Sequence, residues 1–227
     1  MIEKQNNRVY LRGTIVTEKR FSHEVYGEGF YEMDVAVKRL SGQEDVLPIT
    51  ISERLIEKES LTVGSTLSAE GQFRSYNKLV DGKSKLMLTV FVREIADEKY
   101  SVNPNNIVLS GYICKQPTYR TTPFNREICD LLIAVNRAYN KSDYIPCIAW
   151  GRNARFVKNI AVGEKIAVVG RIQSREYQKR TEDDIKTLTA YEVSVSKFAA
   201  YENADAFDLD AEFEKKEDYT QYLKDIV

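Results

Sequence analysis

Between Tyr119 and Arg180 the chain interleaves cationic groups with flat aromatic rings. Arg120, Arg126, Arg137, Lys141, Arg152, Arg155, Arg171, Arg175, Lys179 and Arg180 are interspersed with Tyr119, Phe124, Tyr139, Tyr144, Trp150 and Tyr177. Cations follow phosphates and rings stack on bases, at about 1–3 kcal/mol per base, and because every base has a π-face the combination tolerates any base order. Aromatic residues also fill strands, and Lys and Arg face solvent by default, so the set carries more weight than any member. Groups for bond-breaking chemistry are scarce. The single histidine, His23, sits in the polar run Phe21-Ser22-His23-Glu24 and reads as a loop residue, which leaves no base for a catalytic dyad. Cys114, Cys129 and Cys147 are widely spaced, without a Cys-x-x-Cys pair, and read as reduced apolar strand residues rather than zinc ligands. Glu182-Asp183-Asp184 is the one carboxylate cluster of the basic stretch and reads as a solvated hairpin tip, not a nuclease metal site. The expectation is a binding protein with no catalytic residues, no cofactor and no metal.

The elements that hold these groups come from a repeat. Asn7-Arg8-Val9-Tyr10-Leu11-Arg12-Gly13 aligns with Asn105-Asn106-Ile107-Val108-Leu109-Ser110-Gly111 at a shift of 98, which also sets Val35-Ala36-Val37 on Ile133-Ala134-Val135 and Pro48 on Pro146. One residue later in register, Gly71-Gln72-Phe73-Arg74-Ser75 meets Gly170-Arg171-Ile172-Gln173-Ser174. Two copies with so long a period are two domains rather than a solenoid. Alternating and continuous apolar runs predict strands near 7–18, 30–40, 45–52, 66–76 and 86–96, then near 105–115, 127–139, 143–150, 165–178 and 187–198. A short helix is predicted between the third and fourth strand of each copy, near 53–60 and 153–160. Five strands with a helix in that place is the order of an OB barrel. The expected fold is all-β: two tandem OB-fold β-barrels, each with one short helix, plus an acidic C-terminal tail. The corresponding boundaries are 1–99, 100–199 and 200–227.

Charge follows the same division. The net charge of −1 over 227 residues hides 15 Lys+Arg against 16 Asp+Glu in residues 1–99, 15 against 9 in 100–198 and 3 against 9 in 199–227. A basic middle precedes an acidic end, which reads as a solvated tail. Residues 105–177 resemble the bacterial single-stranded DNA-binding protein family through Asn106-x-Val108-x-x-Gly111, Pro117-x-x-Arg120 and Leu132-x-Ala134-Val135-Asn136-Arg137. The resemblance continues through Ala149-Trp150-Gly151, Gly163-x-Lys165 and Gly170-Arg171-x-x-x-Arg175-x-Tyr177. It implies single-stranded DNA as partner, non-enzymatic binding, and assemblies that offer four barrels, hence a homodimer of this two-barrel chain. Carried over position by position, the family's stacking aromatics fall on Tyr139, Tyr144, Trp150 and Tyr177, with Arg120, Arg137, Arg171 and Arg175 as the accompanying cations. The first copy has Ser41 or Leu40, Val46, Ser52 and Lys78 there, so its binding face is expected to be degenerate. The family's acidic tip closing on Ile-Pro-Phe is replaced by Leu223-Lys224-Asp225-Ile226-Val227, which puts recruitment of replication or repair proteins through the tail in doubt.

Two rival readings remain: an RNA-binding barrel and a barrel that binds only other proteins. The first would carry a glycine–aromatic run such as Lys-Gly-Tyr-Gly-Phe, which is absent. No apolar run approaches the roughly 18 residues of a membrane span and no basic-then-apolar leader opens the chain, so the expected location is the cytoplasm, on nucleoid DNA.

Overall fold

The computed structural model describes residues 5–39, 41–80, 82–96, 103–180 and 185–214. The first half forms β1 (Asn7–Ile15), β2 (Arg20–Val25), β3 (Glu28–Lys38), β4 (Glu44–Ser52), α1 (Glu53–Glu59), β5 (Thr66–Val80) and β6 (Lys83–Ile95). The second repeats it as β7 (Asn105–Ile113), β8 (Thr118–Thr121), β9 (Glu127–Arg137), β10 (Lys141–Trp150), α2 (Gly151–Val157), β11 (Lys165–Arg180) and β12 (Ile185–Ala200). Two short helices follow, α3 (Glu202–Ala206) and α4 (Leu209–Glu214).

Pairing closes two rings. β1 joins β3, β3 joins β4, β4 meets β6 in parallel at Ile49↔Val90, and β6 returns through β5 to β1. The second ring is β7, β9, β10, β12 and β11, with its parallel contact at Cys147↔Val193. These are the two OB-type barrels that the repeat implies. Inward residues on alternate strand positions fill each one: Val9, Leu11, Val35, Ile49 and Phe73 in the first, Ile107, Leu109, Ile133, Ile145 and Ile172 in the second, all fully or almost fully buried. Ile56 of α1 and Ala154 and Val157 of α2 close one end of each barrel.

The repeat is enforced by close approaches. A Cβ on Gly13 would collide with the carbonyl oxygen of Ala36, and one on Gly111 with that of Ala134, where β1 and β7 turn to meet β3 and β9. Gly71 and Gly170 lie under the carbonyls of Phe91 and Ser194, each at a break in register. Asn7 and Asn105 extend the ladders with their amides. Each side chain donates to and accepts from one backbone unit, Phe73 at 2.8 and 2.9 Å and Ile172 at 2.6 and 2.8 Å.

β1 also pairs antiparallel with β7, from Asn7↔Leu109 to Leu11↔Asn105, so both barrels share one twelve-stranded sheet. Two strands escaped sequence reading. β2 and β8 flank β3 and β9 as outer ribbons with almost wholly exposed or half-exposed residues, so they show no apolar alternation. His23 is therefore a strand residue, opposite Phe30, rather than a loop residue. The helix predicted at 153–160 begins instead at Gly151, whose φ of +52° turns the chain at once after β10. The start of the acidic segment is not a solvated tail. Asp205 pairs with Lys165, Glu212 with Lys197, and Asp210 with Arg8 at 2.9 Å, while the Arg8 guanidinium lies 4.0 Å from the centre of the Phe213 ring. The end of that segment, 215–227, and the Glu182-Asp183-Asp184 cluster lie outside the described residues.

Candidate nucleic-acid interface

Strand alternation places most of the candidate residues on one outer face. In β10, Ile145, Cys147 and Ala149 point inward and are buried, which turns Tyr144, Pro146 and Trp150 outward together with Ile148, itself covered by its neighbours. Trp150 lies opposite Ile128 of β9, which lies opposite Arg120 of β8. On the other flank Ile148 lies opposite Ser194 of β12, and Ser194 opposite Arg171 of β11. Arg175 and Tyr177 follow Arg171 four and six residues on, on the same face. Arg120, Tyr144, Trp150, Arg171, Arg175 and Tyr177 thus share one curved surface. The indole N–H of Trp150 donates to the Ser194 hydroxyl at 3.3 Å, which fixes the ring, and Arg175 lies 5.8 Å from the Tyr177 ring centre. Tyr144, Trp150 and Tyr177 are 45%, 38% and 38% exposed. Tyr139 sits in the β9–β10 turn with φ 61°, a costly conformation for an aromatic residue, and its ring is 94% exposed.

The four arginines differ in how free they are. Arg120 meets Asp130 at 2.9 Å, both side chains about half exposed, and such a surface pair is worth little and gives way readily to a phosphate. Arg175 is half exposed but lies 3.7 Å from Glu192, which is largely buried and also accepts from the Gln173 amide at 2.8 Å. Arg171 is paired at 3.0 Å with Asp45 of the first barrel, whose side chain is wholly buried. Arg137 is set apart from the face. It points to the seam between the barrels, 3.6 Å from buried Asp143.

That seam is built twice. Asp45 takes a forked contact from Arg39 at 2.5 and 2.6 Å, Arg171, and the backbone N–H of Ser174 at 2.8 Å. The hydrogen bonds that Arg39 donates to Asp45 raise the Arg39 pKa further, while burial and then the Arg39 charge draw Arg171 down. In the mirrored place Asp143 accepts from the Ser75 N–H at 2.8 Å, and the Tyr144 N–H donates to the Ser75 hydroxyl at 2.7 Å. Arg74, 3.8 Å from the centre of the Phe91 ring, belongs to this second cluster. Burial first, and then the charge of Arg137, pull Arg74 down to about 10, partly offset by Asp143. Arg137 pairs with Asp143 there, while Arg74 donates to Gln72 and feels both charges at longer range, a grouping that sequence reading missed because Arg74 is far from the other two in the chain.

In the first barrel Ser52, in place of Trp150, caps α1 by accepting from the Leu55 N–H, whereas α2 has no side-chain cap. Val46 is an exposed aliphatic residue where the second barrel has Tyr144. The first barrel still carries outward aromatics, at other positions. His23 stacks on Phe30 at 5.1 Å and 8°, and Phe30 on Phe91 at 5.6 Å and 28°, so these rings largely cover one another. Their signal was the outward alternation in β3 and β6, which comparison at family positions alone passes over.

No group of His, Cys, Asp and Glu side chains among the described residues could hold a metal ion. Cys129 and Cys147 are buried, and burial pushes both thiols up, Cys129 to about 11. No helix among the described residues is long and apolar enough to cross a membrane.

Comparison with known proteins places the second barrel. The model of the single-strand binding protein family matches residues 104–201. Single-stranded DNA-binding protein 1 of Staphylococcus aureus (strain COL) is 36% identical over 83 residues, which is 34% of this chain and 50% of that protein. Single-stranded DNA-binding protein A of Bacillus subtilis (strain 168) is 34% identical over 83 residues, 34% of this chain and 48% of that one. The match thus spans about half the length of these relatives. In three dimensions the chain is similar to the wild-type single-stranded DNA binding protein from Thermus aquaticus, with a TM-score of 0.62 over 86% of this chain and 92% of that one. At 20% identity this likeness speaks for the two-barrel fold. The second barrel, residues 104–201, thus matches the single-strand binding protein family and carries the chain's likeness to it.

Proposed function

We propose that this protein binds and protects single-stranded DNA without sequence preference, in replication, recombination or repair, and that the second barrel carries most of the contact. The observation behind this reading is the single outer face that brings Tyr144, Trp150 and Tyr177 together with Arg120 and Arg175, beside the exposed ring of Tyr139. Rings of this exposure stack bases, and half-exposed Arg120 exchanges its carboxylate for a phosphate. Arg137 and Arg171 take part from the seam, where guanidinium groups outnumber carboxylates. In this reading residues 1–99 are a barrel with a degenerate binding face, 100–199 the binding domain, and 200–227 an acidic segment available to replication or repair partners. The chain works as a homodimer with four barrels, in the cytoplasm on nucleoid DNA.

Trp150, the only tryptophan, reports directly on this face. Titrating the full chain with oligo-dT should quench its fluorescence saturably. The affinity should fall with rising salt by about 0.7 log units per log unit of salt for each phosphate neutralised. An unlabelled RNA oligonucleotide that competed better than DNA would turn the reading toward RNA. Absence of saturable quenching by either would end it.

A further inference from the structure

The half of β10 that carries Tyr144 has an open edge. One side of β10 is paired with β9 along its whole length, from Lys141↔Arg137 to Trp150↔Ile128. The other side meets β12 only at Cys147 and Ile148. On that unpaired side the Tyr144 N–H would have no partner from its own barrel, and the first barrel supplies one in the Ser75 hydroxyl at 2.7 Å. The backbone N–H of Ser75 is in turn held by Asp143 at 2.8 Å, next to Tyr144 in sequence. Ser75 of β5 in the first barrel therefore holds both the Tyr144 N–H and the neighbouring Asp143 carboxylate.

We propose that Ser75 and Asp143 form a clasp between the barrels that sets the position of the Tyr144 ring. The first barrel then takes part in strand binding as the support of the second barrel's stacking surface. This rests on the functional reading above. The mirrored clasp sharpens it, because Ser174 of the second barrel accepts from the Val46 N–H at 3.2 Å and donates its own N–H to Asp45. The two clasps fill equivalent gaps, but the residue held on the first barrel is an aliphatic one. The same chemistry thus serves architecture on one side of the seam and architecture plus ring placement on the other.

The test uses the full chain, with oligo-dT binding followed through Trp150 and melting measured beside it. Ser75→Ala should weaken binding by about threefold to tenfold, the loss expected for one hydrogen bond. Ser75→Thr should restore much of it. Ser174→Ala should lower the melting temperature by a similar amount and leave affinity unchanged. In a Tyr144→Ala background, Ser75→Ala should cost no further affinity while its effect on melting persists, the non-additivity expected of coupled residues. Exchange of the Tyr144 amide with deuterium should speed up in Ser75→Ala without DNA present. Equal losses of affinity with and without the Tyr144 ring, or an unchanged Tyr144 exchange rate, would overturn the clasp while leaving the function standing. A wild-type chain that does not bind oligo-dT would remove both.

Discussion

Trp150 and Ser52 end equivalent strands, and each gives up what the other supplies. Ser52 satisfies an orphan N–H of α1, while Trp150 leaves α2 uncapped and turns an indole to solvent, tied to Ser194. Trp150→Ala and Tyr177→Ala should each cost about 1–3 kcal/mol of binding to oligo-dT. Ser52→Ala should leave affinity alone and lower stability by about 1 kcal/mol, the usual worth of a helix cap. Paired titrations and thermal melts of the three variants check this. The arginines separate in the same way. Arg175→Ala removes a surface cation and should reduce the slope of log affinity against log salt by about 0.7. Arg171→Ala strips a partner from wholly buried Asp45, so its main effect should be a lower melting temperature, readable by calorimetry.

Among the strands, legibility depended on burial. β3 and β9 alternate around Val35 and Ile133, and their bounds could be read to within a few residues. β2 and β8 could not, because an outer ribbon wet on both faces has no apolar period to display. Tyr144, Trp150 and Tyr177 were legible only through the family resemblance, and it is the strand register of the structure that sets them on one face. The engagement of Arg171 could not be read, since its partner Asp45 lies 126 residues away in the first barrel. Nor could the docking of α3 and α4, where acidic composition argues for solvent and only the positions of Lys165, Lys197 and Arg8 reverse the argument. The repeated glycines were visible as a pattern, and their cause is steric. Gly111→Ala drives a methyl into the Ala134 carbonyl and should destabilise the second barrel by about 1–3 kcal/mol or more. The same loss is expected for Gly13→Ala against Ala36 in the first, both measured by denaturant unfolding.

For the whole molecule, the docked acidic helices change the electrostatic picture. Asp205, Asp210 and Glu212 are spent on cations of β11, β1 and β12, away from the face that holds Tyr144 and Trp150. The acidic segment here offsets Lys165 and Lys197 but leaves Arg120 and Arg175 of that face to other partners. Light scattering on the dilute full chain should return twice the 26.1 kDa chain mass, and a monomer mass alone would contradict the four-barrel assembly. Isolated residues 100–200 should keep part of the affinity but lose the support of Ser75. They would also expose the β7 edge that β1 covers, so they should self-associate on gel filtration, as open strand edges do.

The β1–β7 ladder has one more effect. Two separate barrels that share such an edge must find each other by diffusion, and their union dissolves when the protein is scarce. Here both edges are on one chain, so the partner is present at a fixed effective concentration however dilute the solution. The joining of the barrels is a first-order event, set by folding alone, and the proposed pairing of whole chains is the step left to mass action.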